Sequence, residues 1–95
     1  MDASGAIVGE GDLSAQTEQV FANLGIALAA AGATFADVVK LTTYVVDYTP
    51  AARPLVAAIR SRYFPTLPPA STLVGISALA LPGWLIEIEA IAMLD

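Results

Sequence analysis

The sequence predicts an α/β (α+β) domain in which one mixed sheet carries two helices on a single face, in the order β-α-β-α-β-β. Three observations predict it. Apolar residues recur at helical spacing in two segments, as Val20, Leu24, Leu28 and Ala31 and again as Leu55, Ile59 and Tyr63. Two other runs, 38–46 and 84–93, are rich in β-branched and apolar residues and have the length of strands. Finally, 57% of the 95 residues are hydrophobic and the mean hydropathy is +0.71, more apolar surface than one small core can hide.

Taken in order, residues 6–10 are expected to form a short strand. The first helix is expected from Leu13 to Ala31. Asp12 or Ser14 would cap it, Glu18 would complement its positive end, and Gly32 would supply the left-handed stop. Its polar side would carry Gln16, Gln19 and Asn23. Thr34 and Asp37 have capping-box spacing and predict one short turn, followed by a strand over Val38–Val46. Thr49-Pro50 is expected to open the second helix. Pro54 removes an amide donor and crowds the preceding turn, so the first turn should be irregular and the regular helix should run from about Pro54 to Tyr63. Beyond the proline-rich turn at 64–69, residues 71–78 read as a strand and "ALPGW" as a turn. In the last strand, 84–93, Trp84, Ile86, Ile88, Ala90 and Ala92 share one face, and Leu85, Glu87, Glu89, Ile91 and Met93 share the other.

Two helices cover only one face of such a sheet. The other face is also apolar in part, so it predicts subunits meeting sheet to sheet. A membrane does not account for the surplus: the longest uncharged run, 63–86, contains Pro65, Pro68, Pro69 and Pro82 and cannot be one apolar helix. No basic segment precedes an apolar stretch at the start, so no secretory leader is expected and a cytoplasmic location is the default. The chain reads as one domain over 1–95.

Composition narrows the chemistry. There is no cysteine and no histidine, which removes thiol nucleophiles, thiolate metal sites and the usual neutral-pH base; no metal or cofactor is expected. A net charge of −5, with Lys40, Arg53, Arg60 and Arg62 as the only cations, argues against nucleic acid as a partner. "GEG" at 9–11 lacks the lysine and the strand-to-helix context of a phosphate loop.

The segments "QTEQVFANLGIALAAAG", "DVVKLTTYVVD", "PPASTLV" and "EIEAIA" occur here in an order and spacing that resemble the reactive intermediate deaminase family (RidA/YjgF, endoribonuclease L-PSP) over nearly the whole chain. The resemblance implies a chorismate-mutase-like fold, a homotrimer and small-molecule clefts at the subunit borders. It also implies hydrolysis of enamines and imines, such as 2-aminoacrylate, to keto acids and ammonia. Two departures accompany it. "MDASGAIVGEGD" corresponds to the loop after the family's N-terminal hairpin, so that hairpin and its site tyrosine are expected to be missing. The family's "PARSCV"-like stretch, whose arginine grips the substrate carboxylate, reads Pro69-Ala70-Ser71-Thr72-Leu73-Val74 here. A neutral hydroxyl at Ser71 cannot pair bidentately with a carboxylate.

Glu87 matches the family glutamate that handles water or the leaving nitrogen, and is the candidate catalytic residue. The alternative is a strand residue kept for structure. Ser71, Thr72 and Leu73 are the candidate substrate-binding residues, and the two hydroxyls read equally as ordinary strand-start groups. Glu89 reads as a structural acceptor, Lys40 as a strand lysine in water, and Tyr44 and Trp84 as packing residues. Nothing in the spacing brings Arg53, Arg60 or Arg62 to the cleft. The leading expectation is a RidA-like homotrimer binding a small molecule without efficient 2-aminoacrylate deamination. The alternatives are an enamine/imine deaminase anchored from elsewhere, and an interaction protein working through its exposed sheet. Ribonuclease activity fits an acidic, histidine-free chain least.

Overall fold

A helix starts after Asp12 because the carboxylate of that residue accepts from the Ala15 backbone N–H at 3.1 Å, satisfying a donor that has no partner within the helix. In the computed structural model, which describes residues 9, 11–65 and 68–94, this helix is α1, Leu13–Ala30. It stops at Gly32, whose φ of 79° turns the chain so that the Ala33 N–H reaches back to the Leu28 carbonyl at 2.8 Å. Thr34 and Asp37 form the expected capping box around one 3₁₀ turn, Phe35–Asp37. The chain then extends into β1, Val38–Val46, with the bounds the sequence predicts.

The second helix, α2, runs Ala52–Tyr63. Thr49 does not cap it; the Thr49 carbonyl instead accepts from the Ala52 N–H in a turn that leads into the helix. Pro54 lies inside the first turn, where an N–H would have no intrahelical partner, so it interrupts nothing and the helix starts earlier than expected. β2 follows as Ala70–Ile76, shorter at its end than predicted, and β3 as Ile86–Ala92. The strand expected over 6–10 lies outside the described residues, Gly9 excepted.

The sheet order is β2-β1-β3, with β1 parallel to β2 and antiparallel to β3: a mixed sheet. α2 is the crossover that a parallel pair requires. Leu41, Thr43 and Val45 of β1 and Ile86 of β3 point beneath the helices and are buried. A shift in pairing between Val38 and Lys40 lets Val38 face the same core although it lies three residues before Leu41. Phe21 of α1 is fully buried and stacks on Tyr63 of α2 (centroids 4.9 Å apart, planes 14° apart), and Phe35 meets Phe64 edge to face.

One expectation for α1 is corrected. Gln16 belongs to the polar side that the sequence predicts, but the buried stripe is rotated toward Gln16, Thr17, Phe21 and Leu28. The Gln16 amide donates to the carbonyls of Gly9 (3.2 Å) and Gly83 (2.9 Å) and accepts from the Leu85 N–H (2.8 Å). It is a buried clasp between the start of α1 and the turn before β3, admitted to the interior because both ends of its amide are satisfied. No helix among the described residues is long and apolar enough to cross a membrane.

Candidate functional site

The pairing register sorts the candidate residues onto two faces. Opposite Leu41, Thr43 and Val45 on β1 stand Ser71, Leu73 and Gly75 on β2, so these share the helix-covered face. Opposite Thr42 and Tyr44 stand Thr72 and Val74 on one side and Glu89 and Glu87 on the other, on the face without helices. Ser71 and Leu73 therefore come together, whereas Thr72 and Glu87 lie on the opposite surface.

Ser71 and Leu73 sit in a groove of about 500 Å³ between β2 and α2, completed by Tyr48, Arg53, Ala57, Arg60 and Gly75. Arg53, Ala57 and Arg60 fall at i, i+4 and i+7 on α2 and form a stripe beside the buried one of Ala52, Val56 and Ile59. The Arg60 guanidinium donates to Ser71 Oγ at 3.0 Å. The spacing alone gave no reason to bring an arginine here; the packing of α2 brings Arg60 to Ser71. α2 lies across this groove from β2, with the flank that carries Arg60 turned toward the strand that follows it. At the far end, Gly75 allows a close approach: a Cβ there would lie 2.8 Å from Tyr48 Cβ, too near for the strand to keep its place.

On the open face, Tyr44 Oη donates to Glu89 at 2.8 Å, with Glu87 directly across the strands from Tyr44. The hydrogen bond to Glu89, the partial loss of solvent and the negative charges of Glu89 and Glu87 together raise the Tyr44 pKa above its ordinary 10.0, so the phenol stays protonated and donating. Glu89 thus serves as an acceptor, while Glu87 is exposed and has no hydrogen-bond or ion-pair partner among the described residues. Its carboxylate is open to water or to an incoming group. Lys40 is exposed on the same face beside Thr42 and Glu89. Sequence reasoning missed Tyr44 because strand pairing, which alone puts it beside two carboxylates, is not written in local periodicity. It missed Arg53 and Arg60 although their seven-residue spacing on one helix was available as a signal. Among the described residues no group of three or more acidic side chains could hold a metal ion.

Residues 1–94 match the family described as Endoribonuclease L-PSP. The chain belongs to that family. Its fold matches the crystal structure of YyfB from Yersinia pestis, a protein of unknown function of the conserved Rid protein family, with a TM-score of 0.92 and 52% identity, covering 98% of this chain and 71% of that one. Protein DfrA of Myxococcus xanthus is 43% identical over 84 residues, 88% of this chain and 62% of its own length. Reactive Intermediate Deaminase A, chloroplastic, of Arabidopsis thaliana is also 43% identical, over 79 residues that make up 83% of this chain and 41% of that protein. The Rid-family chain therefore spans less than two thirds of either curated relative. The α+β arrangement expected from the sequence, a mixed sheet with two helices, is the one shared with the YyfB structure.

Proposed function

We propose that this Rid-family chain works as a homotrimer whose uncovered sheet faces meet at the centre, with a small-molecule cleft at each subunit border. One wall of each cleft is the groove of Ser71, Leu73 and Arg60; the other carries Glu87 of a neighbouring subunit. The observation that carries this reading is the placement of Ser71 and Glu87 on opposite faces of one sheet. A single subunit cannot bring both to one ligand, whereas two subunits can. The open face supports it as well, since Val74, Ile91 and Met93 there are 38%, 57% and 69% exposed. Large apolar side chains left this exposed are what a neighbouring subunit would cover.

With serine in the segment that resembles "PARSCV", the cleft lacks a strand arginine to grip a small monocarboxylate, and 2-aminoacrylate is a poor substrate. A second reading, an imine hydrolase, is favoured by the Arg60–Ser71 contact, which returns a guanidinium to that end of the groove. In that reaction Glu87 takes a proton from water as the oxygen adds to the imine carbon and hands it to the nitrogen; the hydroxyl proton of the tetrahedral adduct follows as the C=O forms and the C–N bond breaks, releasing ammonia and the keto acid. Ammonia release from freshly generated 2-aminoacrylate separates the two. The first reading expects a rate close to the spontaneous one. Release well above it that is lost in Glu87→Gln would replace it with the second.

A further inference from the structure

Two of the four cations in a chain of net charge −5 line one groove. The one ion pair among the described residues joins Arg62 to Glu18 and involves neither of them. Arg60 is half-buried, and its hydrogen-bond partner is the neutral Ser71 hydroxyl, which occupies one of five guanidinium N–H groups and leaves the charge uncompensated. Holding two arginines unpaired on one side of a short helix costs self-repulsion, and Arg53 in the first turn also faces the positive end of the helix dipole. An anion in the groove would offset both costs.

The layout specifies that anion further. Because α2 returns antiparallel to β2, Arg60 lies at the Ser71 end of the groove and Arg53 at the Gly75 and Tyr48 end. Their seven-residue separation corresponds to about 10 Å along the helix axis. Between them stand Ala57 on the helix and Leu73 on the strand, one small and one apolar. We infer that this groove binds a small aliphatic dicarboxylate, one carboxylate on Arg60 and the other on Arg53, with its methylene chain over Ala57 and Leu73. Guanidinium groups suit this task because their planar forks pair bidentately with carboxylates. The inference deepens the cleft reading above by naming its ligand class, and it explains why a monocarboxylate such as 2-aminoacrylate is a poor fit: half of the anchor goes unused.

Titration calorimetry with glutarate and with butyrate, which differ by one carboxylate, tests it on the intact protein. Glutarate should bind about tenfold more tightly than butyrate or better. Arg53→Gln and Arg60→Gln should each bring glutarate down to the butyrate level, while Arg62→Gln leaves binding unchanged. Circular dichroism of each variant verifies that α2 persists; Arg60→Lys, which keeps the charge but not the fork, should fall in between. Equal affinity for the two acids, no glutarate binding, or loss in Arg62→Gln alone would overturn the assignment. So would inorganic phosphate binding as tightly as glutarate with the same arginine dependence. None of these results bears on subunit mass or on ammonia release, so failure here is separable from failure of the trimer and cleft reading.

Discussion

On the face covered by helices the sheet presents Leu41, Thr43, Val45 and Ile86, none more than 4% exposed. On the other face the same strands present Tyr44, Glu87 and Glu89 together with Val74 and Ile91, the last 57% exposed. Both faces arise from the same alternation of side chains, and only what packs against them differs. The first face is satisfied within the chain and holds the fold. The second is a mixture of apolar side chains and carboxylates that a single chain leaves open, and that mixture suits an oligomer interface with polar groups at its border. The candidate groove lies at the margin of the first face, between β2 and α2.

The largest expected effect is on the covered face. Phe21→Ala removes a fully buried ring that stacks on Tyr63, and the expected loss is about 3–5 kcal/mol. That is a large part of the roughly 5–15 kcal/mol available to a small domain. Chemical denaturation should show the midpoint collapsing; a midpoint close to that of the parent protein would mean that the core is not centred where α1 and α2 meet. Next comes Gln16→Leu, which leaves the Leu85 N–H and the Gly83 carbonyl without their side-chain partner. A loss of about 1–3 kcal/mol is expected, accompanied by faster amide hydrogen exchange at Leu85. Unchanged exchange there would show that the clasp does not hold the turn before β3.

The smallest effect is expected on the open face. Tyr44→Phe deletes an exposed hydrogen bond and should alter stability little near neutral pH. Its signature is in the alkaline range. A pKa raised on folding contributes stability that is fully present below the unfolded value of about 10 and is lost as pH rises through the folded value. Ultraviolet titration of the folded protein should therefore show a tyrosine step above the ordinary value of about 10, and Tyr44→Phe should remove that step. A titration curve whose alkaline end is unchanged by Tyr44→Phe would contradict the Tyr44–Glu89 contact.

These sites also divide what could be read from the sequence from what could not. The bounds of β1, the capping box at Thr34 and Asp37, the stop at Gly32 and the two faces of β3 all follow from local spacing and turn chemistry, and all are present. Gln16 was misplaced because a helical wheel sees a polar side chain, not the three backbone groups that another part of the chain brings to it. The site was legible only in part for the same reason. Ser71, Leu73 and Glu87 could be picked out by resemblance, but Ser71 meets Arg60, and Tyr44 meets Glu89, only through helix packing and strand register. Those are long-range facts that local periodicity does not encode.

In the proposed homotrimer the open face is covered by further copies of the chain. Sedimentation equilibrium at micromolar concentration tests it most directly, on the parent protein and on Ile91→Asp, which places a charge where the apolar surface should meet its neighbour. The expected parent species has three times the 9.8 kDa chain mass, and the variant gives a smaller or unfolded species. A folded parent monomer of 9.8 kDa, unaffected by Ile91→Asp, would contradict it.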